Sequence, residues 1–158
     1  MANFTIKYSY YNMSGKLVLD MSGATEDFFS DTAMIGIGSA VPGYRFCLAV
    51  NNAFDFSFVR EPESDVEYRP AKDQVHFFSL YQYQEPYSSC KHLLYKLQSE
   101  KKALLPEIKQ LDYLWLVSGP TAEHDAHTLA THLRTMPEIQ LAQIIEPEKL
   151  KNLNHLLI

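Results

Sequence analysis

The run "YLWLV" at 113–117 is apolar on both of its alternating sides. Successive side chains of a strand point to opposite faces, so such a segment reads as a central strand covered from both sides. The next residues are equally legible. Gly119-Pro120 ends the strand, and Thr121 stands where it can cap a helix over 121–135. In that helix Ala122, Ala126, Leu129, Ala130 and Leu133 form one apolar stripe. Met136-Pro137 stops it, "IQLAQII" (139–145) reads as another strand, and Pro147 opens a short helix to about Asn152.

Upstream, "NFTIKYSYY" alternates Phe4, Ile6, Tyr8 and Tyr10 with polar residues, and Asn12, Ser14 and Gly15 lead into "KLVLDM". This predicts a hairpin. A second reading makes 1–14 an extension rather than an edge hairpin strand. The glycines of "IGIGSAVPG" mark a turn, and Pro42 opens a helix over 42–53 with Tyr44, Cys47, Leu48 and Asn51 on one face. "FDFSFV" comes next as a strand with Phe54, Phe56 and Phe58 on one side, and "REPESDVEYRPAKD" as a polar loop. "QVHFFSLYQYQ" (74–84) reads as one long strand and "HLLYKL" (92–97) as the next, joined by a turn at 86–89. Strands joined by short turns predict an antiparallel meander. The whole predicts an α+β fold in one domain spanning 1–158: a mostly antiparallel sheet of five or six strands, with the 42–53 and 121–135 helices packed on it.

Charge narrows the function classes. The chain carries a net charge of -5. Its basic stretches, "KLQSEKK" and "EKLKN", are interrupted by acids, which argues against nucleic-acid binding. No apolar run approaches the roughly 20 residues of a membrane span, and the first residues lack the pattern of a signal peptide. Cys47 and Cys90 lie far apart and read as free, buried thiols in a reducing cytoplasm.

Catalytic and metal motifs are weak. "EHDAHTLATH" (123–132) places three histidines and two acids together. On a helix, however, His124 and His127 lie about 60° apart, and His127 and His132 about 140°. All three are read as exposed polar residues, and no metal site is expected. Gly36-Ile37-Gly38 lacks the third glycine of a dinucleotide fingerprint and the Gly-Lys-Ser/Thr of a P-loop. No G-x-S-x-G elbow is present, and Cys90 with His92 reads as a buried thiol beside a sheet histidine rather than a reactive pair. No cofactor is implied.

"LLPEIKQLDYLWLVSG" (104–119) contains two acids, Glu107 and Asp112, beside a proline. In a helical geometry they point about 140° apart, which rules out a locally built proton-sharing dyad. Pro106 suits the first position of a helical turn, where Glu107 meets exposed N–H groups. Asp112 falls where turn becomes strand and accepts backbone N–H bonds, and Tyr113 begins the strand. Arg45, amid apolar neighbours, is expected to pair with Glu107 or Asp112 and so pin the 42–53 helix to the 113–117 strand.

"LPEIKQLDY" resembles the signature of the IPExxxVDY family of small bacterial proteins, with Leu105 for Ile and Leu111 for Val. "MIGIGSAVPGYRFCLAVNNAF" (34–54) and "HLLYKL" are similar to that family's pattern in outline, Tyr95 standing where the family has Asn. The resemblance implies no catalytic residues. The leading expectation is a cytoplasmic protein-binding or assembly module without catalysis, acting on a protein partner or as a homodimer. The alternative is an enzyme or small-ligand binder with a pocket near Tyr44, Arg45, Glu107, Asp112 and Tyr113.

Overall fold

A computed structural model describes residues 7–10, 17–20 and 22–158. Along the chain run β1 (Lys7–Tyr10), β2 (Leu17–Asp20), α1 (Ser22–Phe29), β3 (Thr32–Gly38), α2 (Gly43–Phe54) and β4 (Val59–Arg60). Next come β5 (Val66–Ala71), β6 (Gln74–Phe78), β7 (Leu80–Gln84), β8 (Lys91–Lys96), β9 (Gln98–Ser99) and β10 (Lys102–Ala103). The last third holds β11 (Tyr113–Ser118), α3 (Ala122–Leu133) and β12 (Leu141–Ile145). Short 3-10 turns occupy Pro106–Ile108, Pro147–Lys149 and Leu153–Leu156.

Six strands form the main sheet in the order β12-β3-β11-β8-β7-β4, each antiparallel to its neighbours. The fold is α+β. The apolar run at 113–117 is interior to the sheet, with Trp115 opposite Ile35 on one side and Leu94 on the other. Its alternating side chains feed two separate cores. Tyr113, Trp115 and Val117 pack with Phe46 and Val50 of α2 and with Ala126, Leu129 and Leu133 of α3. Leu114 and Leu116 pack on the opposite face with Leu104, Leu105, Ile108, Leu150 and Leu156. The two covers differ in kind. Helices shield one face, while turns and the 147–158 segment shield much of the other. The whole predicted stripe of α3 is buried.

Three local expectations are corrected. The glycines of "IGIGSAVPG" do not mark a turn, because Gly36 and Gly38 lie within β3. A Cβ at Gly36 would stand 2.5 Å from Leu111 Cδ1 and 3.0 Å from Ile145 Cδ1, so the strand uses glycine to admit those side chains. Second, residues 74–84 are not one strand. They break at Ser79 into β6, which pairs with β5 in a separate hairpin, and β7, which joins the main sheet. The polar loop at 60–73 thus contains β5. Third, "FDFSFV" is not a strand along its length. Phe54 ends α2, and Asp55 turns the chain with a left-handed φ of 55°. Phe56 and Phe58 then enter the helix-side core, and only Val59–Arg60 pair, with Gln82 and Tyr81. At the N-terminal end, β1 and β2 pair antiparallel as a hairpin would, while residues 1–6, 11–16 and 21 lie outside the described residues. Among the described residues, no helix is long and apolar enough to cross a membrane.

Candidate functional site

The two motif acids act as clasps on distant backbone. Glu107 sits on the Pro106–Ile108 turn, and its Oε1 accepts the N–H groups of Lys151 and Asn152, each at 3.0 Å. Its Oε2 accepts the side-chain amide of Asn152 at 2.9 Å. Burial pushes the Glu107 carboxyl upward, but hydrogen bonds from the Asn152 amide and the surrounding backbone outweigh it, leaving it below its ordinary range. The N–H groups it meets thus belong mainly to the C-terminal segment, which it fastens over the sheet.

Asp112 fastens the other end of the layout. Its Oδ2 accepts the N–H of Ser39 at 2.8 Å, while its own N–H donates to Ile37 O at 2.9 Å. Tyr113 is next, its hydroxyl donating to Val41 O at 2.9 Å and its ring stacked 4.0 Å from Phe46. Together they tie the 39–42 turn and the start of α2 to β11. Burial pushes the Tyr113 hydroxyl pKa well up, so this donor keeps its proton.

The expected pairing of Arg45 with an acid is not formed. Among the described residues Arg45 makes no ion pair, it is exposed on α2, and both acids bind N–H groups instead. The phase of α2 explains this: Gly43, Phe46, Cys47 and Val50 face the core, which turns position 45 outward. Asn51 lies at the margin, where its side chain accepts from Phe58 N at 2.8 Å and donates to Phe58 O at 3.2 Å. Tyr44 and Leu48 project outward, 71% and 60% exposed. The five candidate residues therefore divide. Tyr44 and Arg45 ride exposed on the helix above one sheet face, and Tyr113 is buried beneath it in the helix-side core with Asp112 half-buried beside it. Glu107 sits on the turn whose neighbours Leu105 and Ile108 pack on the opposite face.

Cys90 and His92, read from the sequence as a buried thiol beside a sheet histidine, are so placed. Sequence reasoning missed the polar cluster that Trp115 and Glu85 complete around His92 in the helix-side core. The indole N–H of Trp115 donates to His92 Nδ1 at 3.0 Å. Indole is a donor only, so Nδ1 must present its lone pair and the ring proton sits on Nε2. That nitrogen meets Glu85 Oε1 at 3.1 Å and Cys90 Sγ at 3.5 Å. Aromatic rings wall the site, with Phe56 centred 5.0 Å from the imidazole and Tyr83 stacked at 5.7 Å. Burial holds His92 below the usual imidazole range, opposed by its hydrogen bond to Glu85 and by the charges of Glu85 and Asp125. Burial likewise pushes the Cys90 thiol up to about 11, reinforced by the charges of Glu85 and Asp125.

These facts limit the chemistry. A Cys–His nucleophile needs a basic nitrogen facing the thiol and a ready thiolate. Here the nitrogen facing the thiol carries a proton, and the thiol is held neutral. Glu85, Cys90 and His92 also bring ligand atoms within 4.8 Å of one another, a spacing a cation could bridge. For Nε2 to ligate, its proton would have to move to Nδ1, against the Trp115 N–H. The tautomer does not fit a metal. The only sequence signal was Cys90-x-His92 on one strand face; Trp115 reaches His92 through the β8–β11 register, and Glu85 through the turn between β7 and β8.

On α3, His124 and His127 are exposed and line an open groove with Thr128, Thr131, His132 and Thr135. His132 is tied to the core margin, its ring 4.5 Å from Phe54. No protein-family model, curated protein or solved structure matches the chain.

Proposed function

We propose that this chain is a protein-binding module without catalysis, and that the outer face of α2 makes the contact. One observation carries the reading: Tyr44 and Leu48, one helical turn apart, stand 71% and 60% exposed beside the exposed Arg45. Tyrosine and arginine are the residue types that anchor protein interfaces, and an apolar pair flanked by a cation is a surface a partner can desolvate. The internal use of Glu107 and Asp112 supports it, because neither acid is left poised for chemistry. The ligand-pocket alternative draws no support from residues on opposite faces of a sheet. The reading takes the partner as another cytoplasmic protein or a second copy of this chain, and kinship with the IPExxxVDY family rests on the "LPEIKQLDY" likeness. The test pairs light scattering of the purified chain with affinity capture from its native host, comparing wild type with Tyr44→Ser/Leu48→Ser. A self-association or a captured protein lost in the double variant, at unchanged thermal midpoint, supports the reading. A complex indifferent to both substitutions refutes it.

A further inference from the structure

The bonds around His92 are compatible with one protonation state only. Neutral His92 accepts from the Trp115 indole at Nδ1 and donates from Nε2 toward Glu85. A second ring proton would occupy Nδ1, setting two donors head to head at 3.0 Å. The Trp115 bond cannot survive that. The bond to Glu85 strengthens, since imidazolium and carboxylate form a charge-assisted pair. We infer that His92 is a proton-operated latch: proton uptake releases the Trp115 indole from β8 and draws Glu85 onto the imidazolium.

The groups around the ring determine how the latch is set. From β7 and the turn after it come the Tyr83 ring and Glu85, and from β8 comes Cys90, whose thiol stays neutral. Asp125 acts from α3 as a second negative charge. The segment after α2 contributes only the rings of Phe56 and Phe58, and Asp55 there acts on Tyr83. Two carboxylates therefore favour the cation, while burial and the indole donor oppose it. Access for the proton exists through Glu85, whose side chain is 34% exposed whereas that of His92 is 1%. The consequence of release reaches α2, because Trp115 meets Phe54, the last residue of that helix, edge-on at 5.5 Å. The inference stands on His92 and its neighbours and does not depend on what α2 binds.

Trp115 is the chain's single tryptophan, so its indole N–H gives one isolated nitrogen–proton NMR signal and one fluorescence source. The intact chain is titrated from about pH 8 to pH 5 with both readouts and circular dichroism, histidines being reference groups near 6.5. The expected result is a reversible one-proton shift of the indole signal, with a midpoint below 6.5 and unchanged secondary structure. Glu85→Gln should move the midpoint lower. Trp115→Phe, followed at the His92 ring nitrogens, should raise it by roughly half a unit to one unit. His92→Gln should abolish the indole transition. An indole signal that stays put to pH 5, moves only together with unfolding, or still moves in His92→Gln overturns the latch. Should His92→Gln fail to fold, the wild-type imidazole nitrogens decide: an Nε2–H tautomer at pH 8 supports it, and an Nδ1–H tautomer overturns it.

Discussion

Replacing Glu107 tests whether the acid of the Pro-Glu motif is a clasp. Glu107→Ala removes three accepted hydrogen bonds, two from backbone N–H groups and one from the Asn152 amide. Bonds to a charged acceptor are worth roughly 1.5–3 kcal/mol each at full strength. Lys151 is exposed, so its N–H regains water and contributes little, and Asn152 is only half shielded. The net loss should be about 2 kcal/mol, or a fall of about 4–8 °C in thermal midpoint for a chain of this size. Glu107→Gln keeps one carbonyl oxygen but turns an NH2 toward the Asn152 amide, so about half that loss is expected. The pH dependence gives a second, independent signature. Because the folded carboxyl titrates below its ordinary value of 4.5, its stabilisation is fully present above that pH and is lost as pH falls through the folded value. The gap between wild type and Glu107→Ala in urea unfolding should therefore be widest near neutrality and close in acid. A variant within about 0.5 kcal/mol of wild type at neutral pH, or a gap that widens in acid, refutes the clasp.

Gly36→Ala forces a methyl group against Leu111 and Ile145, and overpacking of this kind should cost about 1–3 kcal/mol in urea unfolding. The Cys90 thiol, raised from 9.0 to about 11, should react with iodoacetamide at pH 8 far more slowly in the native chain than in urea, as measured by mass spectrometry of the Cys90 peptide. Its contribution to stability should be intact below pH 9 and fall away as pH rises toward 11. The double change His124→Gln/His127→Gln alters exposed positions on α3 and should leave unfolding within about 0.5 kcal/mol of wild type.

What could be read from the sequence was what burial writes into periodicity. The two-sided apolar run at 113–117 could only be an interior strand, and the Ala/Leu stripe of α3 could only face a core; both are so placed. The failures share a different cause. Gly36 has two physical uses, a turn or a close approach, and only Leu111 and Ile145, brought against it by the tertiary fold, decide between them. Arg45 sits among apolar neighbours, yet the phase of α2 turns inward Phe46 and Cys47 on one side of it and Gly43 on the other, which sends position 45 to solvent. The motif acids show the limit most clearly. Residue type alone says that Glu107 and Asp112 want N–H groups, but nothing nearby says which. Asn152 is 45 positions from Glu107, and Ser39 is 73 from Asp112. The same holds at His92, where Trp115 lies 23 positions away across a strand register. A local pattern records a residue's chemical demand, whereas its partner is chosen by topology. Double substitutions can therefore separate the two: Glu107→Ala with Asn152→Ala should lose less than the sum of the single changes, because both remove the same contact. Strict additivity would mean that the acid and the amide stabilise the chain independently, and that Glu107 does not clasp the C-terminal segment through Asn152.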